Sequence, residues 1–428
     1  MKEVVIVSGA RTSIGAFGGS LKDVSAIEMG SLVMREVFRK INLKPVAGSE
    51  QNEFTPDKLK GKGQLELEKK GYNYDANAKE INVDETIMGC VLQAAQGQNP
   101  GRQAHIFAGI PKEAAGCTIN KVCGSGLKSI AMGAQAIMTG QADVIVAGGM
   151  ESMSNTPLAL KKARWGHRME LTGVGDIHDL MVYDGLYEIF NGYHMGITAE
   201  NIAELYGISR DEQDKLGVTS HQRAMNAIKT GLFKDEIVPV IIPSRKGDII
   251  IDTDERPMET TLEKMAQMKP AFKKDGTVTA ANASGINDGA AAVLMMSAEK
   301  AKELGLEVIV KIKSFATGGV DPAYMGLGPV PAVRRALKMA GMTMKDLNMV
   351  EINEAFASQA IGCFRELGLD NDFPNQLGSG ISLGHPIGCT GARMAVTTMY
   401  QMKRKDFSTG IMSMCIGGGM GMAMIFER

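Results

Sequence analysis

The residues whose types and settings suggest chemistry in this chain are Cys123, His385, Cys415 and Asn353. Cys123 stands in NKVCGSGLKS, just ahead of LKSIAMGAQAIM, which has a helical apolar period. A thiol at a helix N-terminus sits in a positive local field that favours the thiolate. The flanking glycines leave room beside the sulfur. Together these features point to a nucleophile, although a solitary cysteine is more often a small buried hydrophobe.

A nucleophile needs a base and a stabilised oxyanion. His385, in SLGHPIGCTGAR, lies between Gly384 and Pro386. Proline restricts the residue before it, so a fixed turn is expected. The imidazole there either bonds to the backbone or takes the thiol proton, since a Cys–His pair is a recurring activated nucleophile. Cys415, in MCIGGGMG, follows an apolar strand and enters a glycine run. It is either a strand cysteine beside closely packed glycines or a second thiol, exposed at a strand end and able to move a proton. Asn353, in NEAFA, either caps the next helix or donates to an oxyanion, directly or through water. Cys90, Cys117, Cys363 and Cys389 are taken as packing residues.

The elements that must position these groups alternate between apolar β-rich runs and helical patterns, which predicts an α/β fold with helix-covered sheets. The order also repeats. Each half offers a strand, a helix (Ala26 to Arg39; Val330 to Met339) and a second strand. Each then has a Gly-rich turn with a reactive residue, a helix, and a strand running into glycines. Cys123 and His385 occupy equivalent places in the two halves. Like layers packed face to face would bring their turns together. Ile6 to Ile87 spans 81 residues against 41 for Val310 to Glu351. The first half therefore carries an insertion of about 40 residues near 44–82, polar and without a core pattern, expected as a solvated excursion or an assembly contact. Residues 1–150 plus about 285–306 form the first half, 151–284 a lid-like loop domain, and 307–428 the second half. SRDEQD, with Ser209 as cap, is expected to open a helix.

Composition removes several function classes. The chain has 428 residues, 44% of them hydrophobic, and a net charge of −1. That is enough for about two or three domains and gives no basis for nucleic-acid or membrane-surface binding. Six cysteines without CxxC read as reduced thiols. Six histidines without HExxH predict no metal. The first residues already read as a strand, with no targeting segment or membrane-length apolar run, so a cytoplasmic protein is expected. GARTSIGAFGG does not fit GxGxxG, and no GxxxxGK[ST] occurs, so nicotinamide and P-loop chemistry are disfavoured.

NKVCGSGLKS, VAGGMESMSN, GYHMGITAEN, NASGINDGAA, NEAFA, GHPIGCTGAR and CIGGGMG resemble the signatures of the thiolase family, in that family's order and over nearly the whole chain outside the insertion. The resemblance implies a duplicated five-layered α/β/α/β/α core with a loop domain over the active site. It implies acyl transfer and Claisen condensation on coenzyme A thioesters, with no cofactor beyond those substrates and a homodimer or homotetramer as the assembly. Cys123 would be the acylated nucleophile, His385 its activator, Cys415 the acid/base for the α-proton, and Asn353 part of one oxyanion site. His194, Met195, Leu186, Met325 and Phe356 would line the acyl pocket. Ser284 would touch the pantetheine arm and Phe272 would pack near it. Arg245 and Lys246 are weaker candidates for the coenzyme's phosphates. GYHMG resembles the branch that joins two acetyl-CoA into acetoacetyl-CoA and CoA or runs the reverse. Cleavage of longer-chain or aromatic 3-ketoacyl-CoA is the alternative. Where many members read NGGAIALGHP this chain reads LGSGISLGHP, so Ser379 and Ser382 are expected to add hydroxyls near the site.

Overall fold

VVIVSGAR forms strand β1 (Val4–Arg11), which is buried along its whole length. A strand buried on both faces requires a layer on each side. The computed structural model describes residues 1–169 and 176–428, and it supplies both layers. The first half continues through α1 (Ala26–Arg39), β2 (Glu85–Gly89), α2 (Pro100–Phe107), β3 (Ala115–Ile119), α3 (Ser125–Thr139) and β4 (Val144–Ser152). An excursion with α4 (Met195–Tyr206) and α5 (Arg210–Lys229) follows, and the chain then returns as β5 (Asn287–Ser297). The second half contains β6 (Val310–Gly319), α6 (Pro329–Ala340), β7 (Met349–Ile352), α7 (Ala357–Leu367), α8 (Thr390–Lys405), β8 (Thr409–Ile416) and β9 (Met420–Glu427).

The strand order is β7-β8-β9-β6-β1-β5-β4-β2-β3. Outward from β6 the second half runs β6-β9-β8-β7. Outward from β1 the first half runs β1-β5-β4-β2, the same order, with β3 added at the end. The equivalent pairs β2–β4 and β7–β8 are parallel, as is the added β2–β3 pair, and the remaining pairs are antiparallel. The two sheet layers are continuous with each other. They join along one edge, where Val5 and Ile6 of β1 pair with Lys311 and Val310 of β6.

Between the sheets lie α3 and α8. Leu127, Ile130 and Ile137 of α3 share one core with Met394, Met399 and Met402 of α8, with Ile145 and Val293 of the first sheet, and with Met412, Met424 and Phe426 of the second. Helices α1 and α2 cover the outer face of the first sheet and α6 and α7 that of the second. The result is the five-layer arrangement. Each fully buried Met or Ile here contributes roughly 1.5–3 kcal/mol, so the middle layer holds the two halves, and their Gly-rich turns, in fixed register.

One expectation changes. The 44–82 segment is not a bare solvated loop. Leu43–Val46 pairs in parallel with Lys79–Asn82 and closes its base, and short helices form at Ser49–Phe54 and Glu66–Gly71. Glu68 is fully buried there, accepting hydrogen bonds from the Leu65 N–H (2.6 Å) and the Lys112 N–H (2.5 Å). The rest of the segment is largely exposed. In the excursion, Ser209 does cap α5: its Oγ accepts from the Glu212 N–H, and the Glu212 carboxylate accepts from the Ser209 N–H. The 240–251 stretch is a hairpin of Val240–Ile242 with Ile249–Ile251.

Candidate active site

Cys123 lies two residues before the first residue of α3, after Val122, whose φ of 46° is left-handed. That turn is pressed against its counterpart in the second half. A Cβ on Gly126 would sit 2.8 Å from Ala392 N and 3.0 Å from Gly388 O, so only glycine permits this approach. The Cys123 sulfur is within hydrogen-bonding reach of its own N–H and of the Gly417 N–H. Gly417 is two residues beyond Cys415, at the turn between β8 and β9. One sulfur from each half is thus brought to one place, and charge on Cys123 raises the Cys415 thiol.

The field at the helix start does not leave Cys123 ionised at rest. Burial pushes the Cys123 thiol up to about 11, opposed only by the two N–H groups. A rise of that size is on the order of 3 kcal/mol, more than the roughly 1 kcal/mol that a helix N-terminus supplies. Cys123 therefore rests as a thiol, and ionising it needs a base. Cys415 is raised well above the ordinary cysteine range by burial and then by the Cys123 charge. It is fully buried, not exposed at a strand end.

His385 is 5% exposed, and burial followed by the Arg393 charge lowers it to about 3. It is a neutral imidazole, able to accept. Its Nδ1 lies 2.7 Å from Thr390 Oγ1, and Thr390 donates to Pro386 O at 2.9 Å. A hydroxyl has one hydrogen, so Thr390 accepts from Nδ1–H and the Nε2 lone pair is left free. Nε2 has no hydrogen-bond partner. Asn353 Nδ2 stands 3.4 Å from Nδ1, a contact rather than a bond in this tautomer. Asn353 Oδ1 is likewise unpartnered although buried.

A cavity of about 500 Å³ opens beside His385. Leu186, His194, Phe272, Ser284 and Phe356 line it, with Asn287 and Arg256. Rings organise its wall: His194 stacks on Phe272 at 4.7 Å, and Phe272 meets Phe356 edge-on at 6.1 Å. The Ser284 N–H donates to Ala355 O at 2.9 Å, which ties the excursion's end to the NEAFA turn. Met195 and Met325 pack with Phe356 and Ala283 around Cys415. The seven pocket residues read from the sequence therefore gather around one site.

Comparison with known proteins agrees with this geometry. The model of the thiolase N-terminal domain matches residues 69–299 and that of the thiolase C-terminal domain matches residues 306–428. The chain belongs to the thiolase family. An acetyl-CoA acetyltransferase of Syntrophomonas wolfei is 50% identical over 428 residues, covering 100% of this chain and 99% of that protein. One from Cupriavidus necator is 49% identical over 430 residues, with both chains fully covered. The crystal structure of the Bacillus anthracis acetyl-CoA acetyltransferase superposes with a TM-score of 0.87 at 41% identity, covering 100% of this chain and 99% of that one.

This thiolase departs from several sequence expectations. Arg245 and Lys246 sit in the exposed turn of the Val240–Ile251 hairpin and do not line the cavity. The cation that does is Arg256, whose Nε and Nη2 donate to the carbonyls of Ile381 and Ala283 at 2.7 and 2.9 Å. Ser379 and Ser382 face away from the cavity. Ser379 Oγ meets Glu351 at 3.4 Å and Ser382 Oγ meets Ser220 Oγ at 2.8 Å. Of the cysteines taken as packing residues, Cys90, Cys363 and Cys389 are buried and Cys117 is partly exposed. Sequence reasoning missed Thr390, the acceptor that sets the His385 tautomer, and the paired N–H groups of Cys123 and Gly417. Thr390 stood in a quoted motif; backbone donors leave no side-chain signal. No helix among the described residues is long and apolar enough to cross a membrane.

Proposed function

We propose that this thiolase joins two acetyl-CoA molecules into acetoacetyl-CoA and CoA, and runs the reverse cleavage, through an acetyl-Cys123 intermediate. The observation that carries this is the meeting of Cys123 with the Cys415–Gly417 segment beside a cavity lined by His385. Relatives named acetyl-CoA acetyltransferase support the choice of acyl group.

As the Cys123 sulfur attacks the first thioester carbonyl, its proton passes to His385 Nε2. The carbonyl oxygen becomes negative where the Cys123 and Gly417 N–H groups point, which is where fixed donors act most strongly. The C–S bond to CoA breaks, and the departing CoA sulfur takes the Cys415 proton. Cys415 is now a thiolate. A thiol raised by burial is a weak acid but, once ionised, a strong base, which suits a poorly acidic methyl group. It removes a proton from the second acetyl-CoA. The resulting enolate oxygen is held by His385 and by Asn353, acting directly or through water. The carbanion attacks acetyl-Cys123, the Cys123 sulfur leaves, and it recovers its proton from His385. Every group returns to its starting state.

Met195, Met325 and Phe356 pack with Cys415, and in this reading they limit the acyl chain to a short one. Assembly as a homodimer or homotetramer belongs to the same proposal. It is supported by the outer edge of β3, which pairs with no strand among the described residues, and by exposed Trp165 and Phe190, and sedimentation tests it. The direct test of function is incubation with labelled acetyl-CoA, with the adduct mapped to Cys123, followed by thiolysis across a chain-length series. Faster cleavage of an octanoyl-length 3-ketoacyl-CoA than of acetoacetyl-CoA would overturn the acetyl assignment.

A further inference from the structure

Two quoted motifs, VAGGMESMSN and NASGINDGAA, contribute polar side chains that the mechanism above leaves unused. Both reach across from the first half to the turn that carries His385. Asn287 Oδ1 accepts from the His385 N–H at 3.0 Å, while its Nδ2 donates to Gly15 O at 2.8 Å. Three residues on, the Gly388 N–H donates to Glu151 Oε2 at 2.8 Å. Glu151 also accepts from the N–H groups of Val91 (3.0 Å) and Leu92 (3.1 Å), and Cys90 Sγ lies 3.5 Å away. Glu151 is 0% exposed and Asn287 1%.

We infer that Glu151 and Asn287 are positioning residues for His385, fixing the two ends of the His385–Gly388 turn from the opposite half of the molecule. Packing alone does not call for a carboxylate here. Burying one costs several kcal/mol unless it is fully hydrogen-bonded, and an apolar residue would fill the volume more cheaply. What an apolar residue would leave behind is unpaired N–H groups on both segments. The glycines of the turn point the same way. A Cβ on Gly388 would lie 2.6 Å from Glu151 Oε2, and one on Gly384 would lie 2.5 Å from Asn287 Cγ. The turn approaches both side chains as closely as backbone can. Between its tied ends, Pro386 has no N–H to donate, so the ring direction of His385 depends on those ends and on Thr390. A base displaced by even a fraction of an ångström loses rate without losing substrate.

The inference rests on His385 acting as the base for Cys123. It is tested with Glu151→Gln and Asn287→Ala in the full chain. Three readouts are taken: single-turnover acetylation of Cys123 by saturating acetyl-CoA, CoA affinity by calorimetry, and the melting transition. In Glu151→Gln the amide NH₂ must face at least one N–H donor, which breaks a tie without changing the volume. Each variant is expected to acetylate at least about tenfold more slowly, with CoA affinity within about threefold of the parent. A cooperatively melting variant slowed by less than about tenfold overturns the inference. So does affinity lost in step with rate, which would make these binding residues. If Glu151→Gln does not fold, Asn287→Ala decides alone. A parent enzyme whose Cys123 is never acetylated overturns the proposed function instead.

Discussion

The Cys123 turn and the His385 turn hold equivalent places in the two halves, yet they are fixed differently. The first is wound by its own residues. Asn120 Oδ1 accepts from the Val122 N–H (2.8 Å), and Ser125 Oγ donates to Val122 O (2.6 Å) while accepting from the Lys121 N–H (2.9 Å). Together they hold Val122 at φ 46°, a strained conformation for a β-branched residue. The second turn has its own bond from Thr390 Oγ1 to Pro386 O and adds ties to Asn287 and Glu151 of the other half. On the proposed roles, the difference follows from what each turn presents. A nucleophile that must sit among backbone donors needs a locally specified backbone. A base that must face that nucleophile needs its direction set by the docking of the halves. Duplication supplied matching positions, and the chemistry of each position then chose how it is fixed.

The largest expected effect is on the first turn. Cys123→Ser should reduce acetoacetyl-CoA thiolysis by on the order of 10⁴-fold or more while leaving the melting transition near that of the parent. Near-normal turnover would remove the nucleophile from the comparison altogether. Cys415→Ala comes next. Acetylation of Cys123 should persist at a reduced rate, because His385 still takes the Cys123 proton while the departing CoA sulfur must leave as the thiolate, whereas condensation should fall further, by roughly 10²- to 10⁴-fold. A loss in acetylation as large as the loss in condensation would mean that the α-proton is not the main task of Cys415.

How much of this was legible in the sequence depends on how local each determinant is. The α1 span and the Ser209 cap are set by neighbours in the chain and were readable as written. The reactive turns were readable for the same reason: glycines, a proline and an acid–base side chain within a few residues. Burial is not local. The field at the start of α3 suggests a thiolate, but the layers closing over Cys123 outweigh it. Direction is not local either. Ser379 and Ser382 sit close to His385 in sequence, yet the short helix at Gly380–Leu383 turns them toward Glu351 and Ser220. The β1–β6 junction, made by only two residues on each strand, has no signature that an alternation of strands and helices could reveal.

Acidity offers a sharper contrast between the turns. With Cys123 near 11 and His385 near 3, the resting pair is thiol and imidazole. Below the thiol's pKa the thiolate fraction grows tenfold with each unit of pH. Alkylation of Cys123 by iodoacetamide should therefore climb about tenfold per pH unit from roughly 7 to 10 and level off near 11. A rate flat across that window would signal a preformed thiolate–imidazolium pair and would erase the electrostatic half of the comparison.

The smallest effect isolates the backbone. Val122→Gly relieves strain of about 1–3 kcal/mol in the folded state but frees the unfolded chain, which offsets about 1 kcal/mol. Stability by denaturant melt should shift by no more than about 2 kcal/mol in either direction. The turn would then be free to sample conformations in which the Cys123 N–H and sulfur no longer share one orientation. Single-turnover acetylation should slow by about threefold to tenfold. Val122 also packs against the middle-layer core, and that gives the contrary outcome a definite meaning. A variant that loses well over 2 kcal/mol yet acetylates at the parent rate would show that packing, not local winding, fixes the nucleophile. The two turns would then be built alike.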